Sequence, residues 1–354
     1  MGNKLAPVPL PDRVTGEQRR AGRMGVNFLR TKPQSPLLPP EPELVNHVNI
    51  ESGLLGLPPA GDKCFWMTVV PRDFSRVKQV LVFFHGAGQH VGSVYQNELL
   101  VFAHVHGIAC IGFDMVGHGR SDGLHMMINS WHGFVGWAEA FCDDFVPRTV
   151  EAWSDRLGRK LPVFATGVSM GGGVLAAVCL KSPERFEGAV LVSPMLGIED
   201  KVRPPPAVEF ILKRVVTPLL PTWPITPGGG PEGMYLHARD KKTCEDVFAD
   251  ELGNGLAKLR LRTAVELGIV GCSWIQERLA EFRTPFLLMH AGDDQITSPA
   301  MSRRLHDVAV GEDKTLRIVD GAWHGEIFQG GPETTESMRT SFQCVADWLS
   351  ARSA

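Results

Sequence analysis

The chain is poor in the features that mark several protein classes. Its seven cysteines (Cys64, Cys110, Cys142, Cys179, Cys244, Cys272 and Cys344) are odd in number and include no C-x-x-C pair. Neither a disulfide framework nor a zinc site is indicated, and no metal or organic cofactor is expected. Several cysteines sit in apolar runs and read as small buried hydrophobes in a reducing compartment. A basic excess is also missing. The formal charge of -3 argues against a nucleic-acid partner. The N-terminus lacks the apolar segment of a secretory signal, so a cytoplasmic location is expected. One uncharged run, Val163 to Leu180, reaches the roughly 18 residues of a membrane span. It follows Pro162, holds Thr166, Ser169 and four glycines, and changes from strand-like to helix-like midway, so spanning is not expected.

What is present suits a large soluble globular protein: 354 residues, 44% hydrophobic and 21% charged, enough for one large core with an insertion. Residues 1–44 are basic and proline-rich and read as a solvated, flexible arm rather than a membrane-docking one. From about His47, strand and helix patterns alternate. Strands are expected at Phe65 to Val70, Val77 to Phe84, Ile108 to Phe113, Gly188 to Val192, Pro285 to Met289 and Thr315 to Val319. Helices are expected at Tyr95 to His106, Phe134 to Arg156, Pro299 to Val308 and Thr335 to Leu349. This alternation predicts an α/β fold: a mostly parallel central sheet covered by helices on both faces. The pattern breaks at 197–283. No strand signal appears there, and apolar residues recur at helical spacing in Val208 to Leu220 and Leu256 to Phe282. Segments 45–196 and 284–354 are therefore read as the core and 197–283 as a helical cap.

The chemistry centres on Gly167-Val168-Ser169-Met170-Gly171, between a strand-like and a helix-like run. This G-x-S-x-G spacing is that of a nucleophile elbow, in which a strained turn projects a serine hydroxyl and small neighbours let the turn close. A serine needs a base, and the base needs an orienting acid. His324 follows the strand Leu316 to Val319, and Asp293-Asp294 follows Phe286 to Met289. Both should lie at the sheet edge that carries the elbow. Asp294 is favoured over Asp293 as the acid. His85 and His118 read as structural hydrogen-bonding residues. The oxyanion donors are assigned to the N–H groups of Met170 and of Ala87, in the loop after the Val80 to Phe84 strand.

These pieces resemble the α/β-hydrolase superfamily and, within it, the monoacylglycerol lipase (lysophospholipase-like) family. The likeness is carried by His85-Gly86-Ala87-Gly88-Gln89-His90, Asp114 to Ser121 (DMVGHGRS), the elbow, Val192-Ser193-Pro194 and the region from Pro285 to His324. It implies an α/β-hydrolase fold and a serine esterase acting on a lipid ester, most closely monoacylglycerol. It further implies an apolar cap that can touch membranes to collect lipid. Lysophospholipase and general carboxylesterase activities are the neighbouring readings, with acyl transfer a more distant one. The chain departs from the family pattern at Val168 (usually histidine), Gln89 (often acidic), Ser93 (often arginine), Ala291 (usually glycine) and, by approximate alignment, Phe248 (a cap tyrosine). The resemblance makes Gln89 and Phe248 the candidate substrate-contacting positions.

Overall fold

A computed structural model describes residues 17, 47–58, 61–93, 100, 103–199, 203–224, 235–248, 252–253 and 259–353. The basic N-terminal arm lies outside these, apart from residue 17, as does much of the helix expected over Tyr95 to His106. Residues 100 and 103–105 of that segment are helical.

Eight strands form one sheet in the order β1-β2-β4-β3-β5-β6-β7-β8. They are β1 (Val48–Leu57), β2 (Asp62–Pro71), β3 (Gln79–Phe84), β4 (Ile108–Phe113), β5 (Val163–Val168), β6 (Gly188–Val192), β7 (Phe286–Ala291) and β8 (Lys314–Val319). β1 and β2 are antiparallel to each other, β2 is antiparallel to β4, and the rest of the sheet is parallel. β1 is the strand that sequence reasoning missed. Its segment VNIESGLLGL breaks its apolar residues with three polar ones and two glycines and mixes buried with exposed positions, as an edge strand with one wet face does.

The central strands are uniformly apolar because both of their faces are covered. Val80, Val82 and Phe84 of β3 enter one core, with α1 (Trp131–Leu157) and α2 (Met170–Lys181). Leu81 and Phe83 point the other way, into a second core with Phe342, Val345 and Trp348 of the C-terminal helix Thr335–Ser350. The period-two alternation of strand side chains divides one continuous run between two layers. α1 begins where Ser130 accepts the N–H of Gly133 and ends at Gly158 in the left-handed region (φ 65°), a standard capped start and glycine stop.

Between β6 and β7 the described residues form helices. α3 runs Pro206–Ile211, through a π-helical turn at Leu212–Val216, to Thr217–Leu219. α4 is Lys241–Phe248. α5 runs Leu261–Val265, through a second π-helical stretch at Glu266–Gly271, to Cys272–Gln276. α6 (Pro299–Val308) follows β7. The C-terminal helix is α7.

α5 is fastened to the segment before α1. The Thr263 hydroxyl donates to the Met126 carbonyl (2.7 Å) and accepts the Ile128 N–H (2.9 Å). The Glu266 carboxylate accepts the Trp131 N–H (2.9 Å), and Arg260 Nε donates to the His125 carbonyl (2.8 Å). Met126 has a positive φ of 55°, so these bonds hold backbone that would otherwise relax. Thr263→Val keeps the shape but removes the hydroxyl bonded to two buried backbone groups. It is expected to lower the unfolding free energy by about 1–3 kcal/mol for each group left unpaired, measured by urea denaturation; an unchanged midpoint and slope would show that the hydroxyl does not fasten α5.

Candidate active site

The turn at the end of β5 places Ser169 in backbone that side chains rarely adopt, at φ 53° and ψ −118°. Three bonds hold it there. Ser169 N–H donates to the Val192 carbonyl (2.9 Å), and the Ser169 carbonyl accepts the N–H groups of Gly173 (3.1 Å) and Met195 (2.9 Å). The flanking glycines are required by contact. A Cβ at Gly167 would sit 2.5 Å from the Gly171 carbonyl oxygen, and one at Gly171 would sit 2.2 Å from the Phe84 and 2.5 Å from the His85 carbonyl oxygens. The first turn of α2 therefore touches the end of β3, where the candidate oxyanion loop begins.

Ser169 Oγ lies 2.9 Å from His324 Nε2, and His324 Nδ1 lies 2.6 Å from Asp294 Oδ2. The two bonds form a continuous serine–histidine–aspartate chain in which the acid is wholly buried and the base nearly so. The structure distinguishes the paired aspartates: Asp293 is exposed, and its N–H donates to the Ala322 carbonyl. The second oxygen of Asp294 accepts the N–H groups of Ile296 (2.8 Å) and Thr297 (2.9 Å), and Oδ2 also accepts the Thr297 hydroxyl (2.9 Å). Burial by itself would raise this carboxyl. The charge of His324 and hydrogen bonds from His290 and His324 more than reverse that and hold it well below the ordinary carboxylate range. Asp294 therefore stays ionised and can stabilise an imidazolium.

The loop after β3 is braced from inside. His85 Nδ1–H donates to the Gly86 carbonyl (2.8 Å), and Nε2 accepts the Met115 N–H (2.9 Å). Burial, aided by His118, depresses the His85 pKa well below its usual value, which keeps the ring neutral for both roles. The buried Asp114 carboxylate accepts the N–H groups of Val91 and Arg120, each at 2.7 Å. Gln89 Oε1 accepts the Gly86 N–H (3.0 Å), so one end of this candidate substrate-contacting amide is used within the loop. Ala87 is exposed at the loop tip. As the first residue of α2, Met170 has no intrahelical carbonyl for its N–H. Phe248 is the last residue of α4, and its side chain lies outside the described residues. Val168 is buried in the second core. Among the described residues, no cluster of three or more histidine, cysteine or acidic side chains could hold a metal ion.

Sequence reasoning missed the contacts between the helical insertion and the base. The His237 ring packs edge-on against His324, with centroids 5.7 Å apart. Its Nε2 lies 2.6 Å from Gln329 Oε1, and its carbonyl accepts the Gly325 N–H (2.8 Å). A Cβ at Gly325 would approach His237 Nε2 to 2.3 Å, so the glycine beside the base was the available sequence signal for a close neighbour. Buried Glu326 continues the seam: Oε1 accepts the Arg239 N–H (2.8 Å) and Oε2 the Trp323 N–H (2.9 Å).

Burial and the nearby His324 lower the His237 pKa to about 4 from its ordinary 6.5. Between those values the unfolded chain binds the proton and the folded chain does not. This contribution to stability is present above pH 6.5 and is lost as pH falls toward 4. His237→Gln is expected to remove up to about 1.4 kcal/mol per pH unit of slope in that window, measured by urea unfolding across pH; identical slopes in both proteins would overturn the assignment.

A profile of the family described as serine aminopeptidase, S33, matches residues 75–329, a span that contains the elbow, the acid and the base. Human monoglyceride lipase is 29% identical over 287 residues, covering 78% of this chain and 84% of that protein. Caffeoylshikimate esterase of Arabidopsis thaliana is 26% identical over 288 residues, covering 81% and 82%. Among solved structures, a soluble variant of monoglyceride lipase from Saccharomyces cerevisiae, in complex with a substrate analog, superposes with a TM-score of 0.68 at 18% identity, covering 86% of this chain and 98% of that one. A thermostable carboxyl esterase from Bacillus coagulans, in complex with glycerol, superposes at 0.66 with 13% identity, covering 86% and 99%. These likenesses agree on the fold seen in the eight-stranded sheet, and with the profile spanning most of the chain, the protein belongs to the serine aminopeptidase, S33, family of α/β-hydrolases.

Proposed function

We propose that the protein is a carboxylic ester hydrolase that cleaves monoacylglycerol to fatty acid and glycerol, with Ser169 as nucleophile, His324 as base and Asp294 as its orienting acid. The observation that carries the reading is the unbroken Ser169–His324–Asp294 chain at a strained elbow. The choice of substrate is supported by relatives named monoglyceride lipase that align over most of this chain. His324 Nε2 takes the Ser169 proton as Oγ attacks the ester carbonyl. The N–H groups of Met170 and Ala87 receive the oxyanion. His324 then returns the proton to the leaving glycerol oxygen, leaving an acyl-enzyme. In the second step it deprotonates water, which attacks the acyl carbon and restores the Ser169 hydroxyl. Of the two headgroup positions inferred from resemblance, Gln89 acts by bracing the oxyanion loop. We assign His237, which packs on the base, rather than Phe248, to the side of the leaving alcohol.

The helical insertion is read as a cap, with α3 as its membrane-facing element. Leu212 and Val216 pack toward α5, while Phe210 (65% exposed), Leu219 (74%) and Trp223 (49%) face outward beside Lys213 and Arg214. A contiguous exposed apolar face flanked by basic residues suits a lipid interface. Among the described residues no helix is long and apolar enough to cross a membrane, so contact would be peripheral.

A substrate panel tests the reaction. Long-chain monoacylglycerol is expected to be turned over faster than lysophospholipid, short aryl esters or aminoacyl anilides, with activity abolished in Ser169→Ala. Preference for an aminoacyl anilide, or full activity in the alanine variant, would overturn the reading. The double variant Phe210→Asp, Leu219→Asp is expected to weaken sedimentation with anionic vesicles by roughly tenfold or more, while hydrolysis of a soluble short-chain ester is unchanged. Unaltered vesicle binding would remove α3 from the interface.

A further inference from the structure

β7 ends in a second histidine that the reaction above does not use. His290 is fully buried. Its Nδ1 lies 2.6 Å from the Ser302 hydroxyl of α6. Its Nε2 lies 3.3 Å from Asp294 Oδ2 and 3.4 Å from the carbonyl and hydroxyl oxygens of Thr297. One carboxylate oxygen thus faces two imidazoles: His324 Nδ1 at 2.6 Å and His290 Nε2 at 3.3 Å. Among the described residues, His237 also packs on this cluster, behind His324.

The geometry points to His290 as a positioning residue of the triad, an imidazole locked by Ser302 that holds the Asp294 carboxylate and shares its charge with the base. Deeper than the hydrolase reading but resting on it, this extends the chain to Ser302–His290–Asp294–His324–Ser169. An ionised carboxylate only accepts hydrogen bonds, so we place a hydrogen on His290 Nε2, where Asp294 Oδ2 and the Thr297 carbonyl are both within reach. In neutral His290, Nδ1 then accepts the Ser302 proton. In charged His290, Nδ1–H donates to Ser302 Oγ instead. Either state puts an N–H against Asp294, so the sign of its effect does not depend on the state. Each donor on the carboxylate withdraws negative charge that would otherwise stabilise imidazolium at His324. The bonds from Thr297 and from the Ile296 and Thr297 N–H groups keep Asp294 in place when His290 is removed.

The test follows the rate of Ser169 labelling by a fluorophosphonate as a function of pH, which is independent of the natural substrate. Removal of the donor in His290→Leu is expected to move the acid limb of this profile up by about half to one pH unit and to slow labelling on the plateau several-fold. His290→Gln, whose amide N–H can reach the carboxylate, is expected to return the limb to its wild-type position. A purely structural histidine would lower thermal stability in both variants and leave the limb in place. Folded His290→Leu with an unmoved limb, or equal shifts in the leucine and glutamine variants, would overturn the assignment. If His290→Leu does not fold, Ser302→Ala removes the lock on Nδ1 at less packing cost. Its limb should move in the same direction, and an unmoved limb there is equally fatal. Wild-type protein that is not labelled at all would instead refute Ser169 as nucleophile, a distinguishable failure.

Discussion

The contact between the first turn of α2 and the end of β3 sets the geometry on which the site depends. Gly171 lies so close to the Phe84 and His85 carbonyls that no Cβ fits. That approach puts the Met170 N–H, the Ser169 hydroxyl and the loop carrying Ala87 in one small volume. The turn that makes the approach possible is strained, and its strain is held by backbone bonds to β6 and to the segment after it. The parallel sheet supplies the remaining constraint. β5, β7 and β8 end at the same edge, so residues 169, 294 and 324 meet although they are far apart in sequence.

Around this centre, buried polar groups act as fasteners. Neutral His85 ties β3 to the segment after β4, and Asp114 ties the latter to the residues following the candidate oxyanion loop. Asp294 collects donors from two backbone amides, a hydroxyl and two imidazoles. A buried carboxylate with so many donors is rigid as well as ionised, and a rigid acid orients its histidine. The insertion has two mechanical characters. α5 and residues 235–240 are bonded to the core and to the loop carrying His324. α3 rests on α5, and among the described residues its other face is exposed. Such a division fixes the part of the insertion beside His324 and leaves the outer helix less constrained.

The strand-helix alternation, the covering of both sheet faces and the order serine, aspartate, histidine were legible because each depends on local patterns: unbroken apolar runs, glycine spacing and chemistry-bearing residues placed just after strands. β1 was not legible, because its polar and glycine-rich segment pairs as an edge whose register is set by β2. His237 and Glu326 were not legible because their significance lies in contact with residues about 90 positions away. His290 was hidden for a similar reason: four residues before Asp294 and just past the expected strand, it carried no local signal of its contact with the carboxylate.

By itself, then, the sequence determined the fold class and singled out Ser169 and His324, since periodicity and turn chemistry act over a few residues and survive without knowledge of the whole. Tertiary structure bore out Asp294, the favoured of two adjacent aspartates, as the one bonded to His324, and it alone decided which histidines lie beside that pair and, among the described residues, which face of α3 is exposed. Each of those depends on side-chain direction and on what the rest of the chain packs against it, and neither is written in local spacing.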